Sequence, residues 1–117
     1  MDQDFVKVSN ITDINPGDKK KIDFDNGEVC IVNVEGKFCA ISNVCTHLQG
    51  SLADGDLSGG FEIECPCHFS RFDVRTGAVT HGPADEPVLA YELRIDGNDI
   101  LIKKPKSPPK LKVSRMC

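Results

Sequence analysis

Apolar and polar side chains alternate along this chain in short runs, and the runs predict strands rather than helices. Phe5-Val6-Lys7-Val8 reads as a first short strand. Ile11 to Gly17 is a connection closed by the turn signal Pro16-Gly17. Lys19 to Phe24 alternates charged and apolar positions, as a half-buried strand does. Asn26-Gly27 is a hairpin signal, and Glu28 to Val34 returns as the partner strand. Glu35-Gly36 makes the next turn before a third strand, Lys37 to Ser42. Further on, Phe61 to Glu64 and Arg71 to Val74 read as strands, with turns at Asp54-Gly55 and Thr76-Gly77. Ser58-Gly59-Gly60 reads as a flexible connector and Ala78-Val79 as the segment after the second turn. Pro87 to Ile95 and Asp99 to Lys103 form a closing hairpin around Asp96-Gly97-Asn98. No helical period persists beyond about two turns. The expected fold is all-β, a small antiparallel barrel or sandwich.

Composition narrows the class. At 117 residues the chain holds one domain. We place it at residues 1–103, followed by a basic, proline-containing tail at 104–117 that reads as extended. The first part holds all 18 acidic residues against nine Lys and Arg, a net of −9, and the tail adds five basic residues. An acidic body suits docking to basic patches on protein partners, and it equally suits a plain solvated surface. It argues against nucleic acid, as does the lack of Trp and the single Tyr. No run of about eighteen apolar residues predicts a membrane span. The acidic start MDQDFVKVSN lacks the basic and apolar regions of a signal peptide, so a cytoplasmic location is expected. Six cysteines then argue for metal ligands and reduced thiols rather than a disulfide framework. Cys30 and Cys39 fall inside strands, with no His or Cys at ligand spacing, and read as small buried apolar residues. Cys117 is expected to be exposed.

The stretch from Cys45 to Phe72 carries the chemistry. It contains Cys45-Thr46-His47 and, seventeen residues on, Cys65-Pro66-Cys67-His68. Finger-type zinc sites usually group Cys with Cys and His with His. Here each short loop offers one thiolate and one imidazole. Two such loops side by side put both Cys at one level and both His at another. That suits a 2Fe-2S cluster with Cys45 and Cys65 on one iron and His47 and His68 on the other. Replacing two thiolates by neutral imidazoles raises the potential from about −400 mV toward roughly −150 to +300 mV. Leu48 and Leu52 are placed to shield such a site, or to plug the base of the loop. Pro66 shapes the second loop.

The motifs Cys45-Thr46-His47-Leu48 and Cys65-Pro66-Cys67-His68 resemble the two cluster loops of Rieske iron–sulfur proteins. The likeness continues through Arg71-Phe72-Asp73-Val74-Arg75-Thr76-Gly77 and Gly82-Pro83-Ala84. It implies a Rieske-type barrel with an inserted two-loop cluster-binding subdomain at about residues 43–84. It implies one 2Fe-2S cluster, His ligation through the ring nitrogen nearer the backbone, and a third loop at Gly82-Pro83. In respiratory members a Cys three residues after the first His pairs with the Cys preceding the second His. This chain has Gly50 at the first position, so Cys67 is expected as a free thiol. Respiratory members also place a Tyr where this chain has Phe72, which cannot donate to a ligand sulfur. Ser70 stands at the position of the other hydroxyl donor. Losing one such hydrogen bond predicts a potential toward the low end of the Rieske range. Phe69 follows the second His, where the family usually has Gly. His81, the remaining histidine, reads as a surface turn residue.

The resemblance implies a soluble ferredoxin with no catalytic residues of its own. It would take one electron from a flavin-dependent reductase and pass it to an oxygenase. Rieske oxygenase subunits carry a further iron-bearing catalytic domain, for which this length leaves no room. Two alternatives stand beside this reading: a small Rieske subunit of a larger oxidoreductase complex, and a structural zinc-binding interaction domain.

Overall fold

The computed structural model describes residues 5–24, 27–44, 51–58, 61–66, 69–82, 84 and 86–103. The Asn26 turn, Gly59-Gly60, Pro83 and the tail from Lys104 to Cys117 lie outside them. Among the described residues, ten strands form two antiparallel sheets. The larger contains β1 (Phe5–Asn10), β2 (Lys19–Phe24), β3 (Gly27–Val34), β4 (Lys37–Ser42), β9 (Ala90–Asp96) and β10 (Asp99–Lys103), in the order β1-β10-β9-β4-β3-β2. The smaller contains β5 (Asp56–Ser58), β6 (Glu62–Glu64), β7 (Arg71–Asp73) and β8 (Val79–His81), each paired with the next.

The larger sheet curls toward closure. Its outer strands meet where the Lys20 ammonium donates to Ser9 Oγ at 3.1 Å and pairs with Asp13 at 3.7 Å. Asp13 belongs to a short 3-10 turn, Ile11–Asp13, capped by the Asn10 side chain. Inside the curl lie Ile14, Val29, Ile31, Ala40, Ile100 and Ile102, all buried. The hairpin β3–β4 turns on Glu35 and Gly36, both at positive φ (53° and 94°). That geometry matches the strand twist of a two-residue hairpin. The Asn33 Oδ1 accepts from Gly36 N–H at 2.7 Å, and its Nδ2 donates to Ile14 O at 2.8 Å. One buried amide thus ties the turn to the connection before β2.

β3 is buried on both faces from Val29 to Val34. Val29 and Ile31 face the barrel interior, while Cys30, Val32 and Val34 face the smaller sheet. A strand covered on both sides is expected to lose its alternation, and the run Val29-Cys30-Ile31-Val32 does so. The second core joins these residues to Leu52, Ile63, Cys65, Phe72 and Val74.

In the smaller sheet, Ile63 lies opposite Leu57 and Phe72, and Phe72 opposite Val79. This row packs inward. The neighbouring row sets Asp56, Glu64, Arg71 and His81 side by side, with Glu62 opposite Asp73 beyond it. Arg71 lies 3.6 Å from Glu64 and 3.9 Å from Glu62, too far for hydrogen bonds, and its Nε is buried without a hydrogen-bond partner among the described residues.

The larger sheet follows the sequence reading closely, and the smaller one departs from it. Asp56–Ser58 is a strand, where Asp56 and Leu57 were given no element and Ser58 was expected to open a connector. β8 takes in Thr80 and also His81, which was expected as a surface turn residue. Pro87 to Leu89 stays outside β9, because Val88 N–H is engaged by Gly77 O instead of a neighbouring strand.

Candidate metal centre

The first loop leaves the barrel after β4 and is clasped at its base by Asn43. This side chain is fully buried (0 % exposed). Its Nδ2 donates to Ser51 Oγ at 2.9 Å and Glu28 Oε1 at 3.1 Å, and its Oδ1 accepts from Ala53 N–H at 2.7 Å. Its backbone N–H donates to Glu28 O, and its backbone oxygen accepts from Leu52 N–H. Residues on both sides of the loop are therefore held by one residue, and Val44 bridges Ser51 beside it. A short 3-10 turn, Leu52–Asp54, follows and buries Leu52 against Ile63 and Cys65. Cys45, His47 and the residues around them, including Leu48 and Gly50, lie outside the described residues.

The second loop is a tight reversal between β6 and β7. Cys65 N–H donates to Ser70 O at 2.7 Å, and Phe69 N–H donates to Cys65 O at 3.0 Å. Cys65 is 1 % exposed and sits in the apolar core shared with Leu52, Ile63 and Phe72. Cys67 and His68 lie outside the described residues. Phe69 has φ +65° and is 59 % exposed. A bulky residue in the left-handed region costs of order 1–3 kcal/mol, so the family's usual Gly would suit this backbone better.

Ala84 and residues 86–89 form a strap on the smaller sheet. Ala84 N–H donates to the buried Ser70 Oγ at 2.9 Å, and Val88 N–H donates to Gly77 O at 2.9 Å. Gly77 has φ +84°, and a Cβ there would meet Val88 O at 2.0 Å. Gly55 is as constrained: its Cβ would run into the Glu64 carbonyl. The Ala84 contact uses an oxygen lone pair of Ser70 and leaves the hydroxyl proton to be donated. A buried thiol, and a hydroxyl on the residue whose backbone is bonded to it, have the donor chemistry that a sulfide-containing cluster needs. Phe72, 0 % exposed, fills the same core with a ring that has no donor.

Among the four expected ligands the described residues thus include Cys65 alone, brought together with Leu52, Ser70 and Phe72. His81 is exposed at the end of β8, opposite Arg71. Burial pushes the Cys30 thiol up to about 12, and it also raises Cys39, which is half-buried. Both suit the apolar role read from the sequence. Asn43 was not foreseen. Its only signal was its place at a strand end two residues before Cys45, because residue type alone does not separate a buried Asn from a turn Asn.

The chain matches the Rieske 2Fe-2S domain over residues 4–92. It belongs to that family, and its cofactor is one Rieske 2Fe-2S cluster. It is 38% identical over 98 residues to the biphenyl dioxygenase ferredoxin subunit of Pseudomonas sp. strain KKS102, covering 84% of this chain and 90% of the relative. The structure is similar to the ferredoxin of carbazole 1,9a-dioxygenase from Nocardioides aromaticivorans IC177, with TM-score 0.82 and 40% identity, over 86% of this chain and 98% of that one. It is also similar to a chain in the complex of reduced oxygenase and oxidized ferredoxin in carbazole 1,9a-dioxygenase. There the TM-score is 0.83 and the identity 28%, over 92% of this chain and 99% of that one. No helix among the described residues is long and apolar enough to cross a membrane.

Proposed function

We propose that this protein is the ferredoxin component of a ring-hydroxylating oxygenase system, carrying single electrons to a terminal oxygenase and catalysing no reaction itself. The observation that carries the reading is agreement with dioxygenase ferredoxins in both sequence and fold over nearly their whole length. Cys45 and Cys65 would hold one iron and His47 and His68 the other, and the bound cluster supplies one-electron redox chemistry. Cys65 keeps its sulfur in an apolar, water-free surround with Leu52, Ile63 and Phe72. Ser70 Oγ accepts from the Ala84 amide, which leaves its hydroxyl proton free to be donated to a ligand sulfur. With Phe72 offering no second donor, the potential lies toward the low end of the Rieske range. The donor is a flavin-dependent reductase fed by a nicotinamide cofactor, and the place of exchange is cytoplasmic.

The test is direct. Purified protein should be red-brown, contain the iron and sulfide of one cluster, and give on reduction the low-average-g EPR signal of mixed Cys/His ligation. NADH with a flavoprotein reductase should reduce it, and the reduced protein should support turnover by a terminal oxygenase. Colourless protein holding zinc would overturn the reading. A stable complex with one large subunit, and no exchange with a separate reductase, would move the chain to the multisubunit alternative.

A further inference from the structure

The ring of Phe69 is solvent-exposed at a position whose backbone disfavours it. Its φ of +65° is imposed by the loop, since Phe69 N–H is bonded to Cys65 O and Cys65 N–H to Ser70 O. Folding alone would choose Gly there. The ring is not part of the buried core, which takes in Phe72 from the same segment instead. Its surroundings are specific. Pro66, in the same loop, is also exposed. The row of side chains at this end of the smaller sheet is Asp56, Glu64, Arg71 and His81. Residues 43–86 hold seven acidic side chains against two basic ones, a net of −5. An exposed aromatic ring in a segment of net negative charge has the composition of a docking anchor with a charged rim.

We infer that Phe69 is the anchor by which this protein docks its electron acceptor, the ring entering an apolar recess whose rim is basic. The inference rests on the function proposed above. The acceptor is the chosen partner because a ferredoxin of this fold is found in complex with its oxygenase. The anchor lies next in sequence to His68, so a partner that takes the ring comes close to the expected exit for the electron. Backbone strain is kept at this position in exchange for recognition.

The experiment uses full-length protein with its cluster and the terminal oxygenase of a biphenyl dioxygenase system as acceptor. Three forms are compared: wild type, Phe69→Gly and Phe69→Ala. Phe69→Gly should raise the midpoint of thermal unfolding by several degrees, about 4–8 °C at most for a domain of this size. It should also raise the KM for ferredoxin in oxygenase reduction about tenfold, the effect of losing one hot-spot side chain. Phe69→Ala should raise that KM to the same degree without the thermal gain. The reduction potential should stay at the wild-type value in both, which separates docking from driving force. Higher salt should raise the KM of all three forms by a similar factor.

Phe69→Gly that is more stable yet docks as wild type overturns the inference, and so does a Phe69→Gly that is less stable. A KM effect seen with the reductase alone assigns the ring to the donor and overturns the acceptor assignment. Wild type that reduces no oxygenase at all fails at the earlier step and sinks the proposed function, and this inference with it.

Discussion

The two sheets of this molecule are stabilised by different means. Strands of five to eight residues build the curled sheet, and their registers run almost unbroken. Each strand of the smaller sheet has three residues. Three residues give too few ladder bonds and too little apolar area for independent stability. What holds the smaller sheet is a set of local clasps: Asn43 under the first loop, Ser70 under the strap, and Gly55 and Gly77 where backbones nearly touch. The barrel is stabilised by area. The smaller sheet is stabilised by fit, and with the proposed ligand set it is the part that must place metal ligands accurately.

This contrast predicts a larger penalty for subtle changes in the smaller sheet than in the barrel. The largest is expected for Gly77→Ala. The added methyl meets Val88 O and the residue is left at positive φ, so the strap must shift. We expect a loss of about 3 kcal/mol or more in denaturant unfolding, with faster bleaching of the cluster. Gly36→Ala, with no atom near its Cβ, should cost about 1 kcal/mol and leave bleaching unchanged.

The next pair sets one buried amide against another. Asn43→Ala and Asn33→Ala each orphan buried hydrogen-bonding groups and should cost roughly 2–4 kcal/mol. Asn43→Ala alone should speed the loss of iron to a chelator at temperatures where the barrel stays folded. Equal iron loss from both variants would show that the two regions do not differ as described.

Phe72→Tyr sharpens the electronic side. A new phenol in this sealed core either donates to a ligand sulfur or is buried unsatisfied. The first raises the potential with little loss of stability. The second leaves the potential unchanged and costs about 1–3 kcal/mol. We expect the first, read from potentiometric titration beside a denaturant curve.

The smallest effect concerns Asp73. Hydrogen bonds from the Arg75 side chain hold its carboxyl below the usual range, with help from backbone N–H donors. A depressed folded-state value adds stability above the unfolded-state pKa, and that stability is lost as pH falls through the folded value. Asp73→Asn should therefore lower stability at neutral pH by less than about 1 kcal/mol. The difference from wild type should shrink toward zero in acid. A constant difference across pH would assign the effect to packing.

The same contrast explains what could be read from the sequence. β2, β3, β4 and the closing hairpin announced themselves through alternation and through turns such as Glu35-Gly36. The family motifs named Cys65 and Ser70 as parts of one site, and the two are joined by a backbone hydrogen bond across their loop. Asp56–Ser58 escaped notice because three residues cannot display a period. Asn43 escaped because its role depends on Ser51 and Ala53, which reach it only once the intervening loop has closed. Phe69 was legible as an oddity, but its exposure and backbone angle were not.

One consequence follows from β3 lying between the two cores. Neighbouring residues on this strand serve different halves: Val29 and Ile31 the barrel, Cys30 and Val32 the electron-carrying side. Deleting or inserting a single residue here would invert both halves at once. β3 is therefore the segment whose amide protons should be the last to exchange with deuterated solvent, and the place where this protein has least freedom to vary.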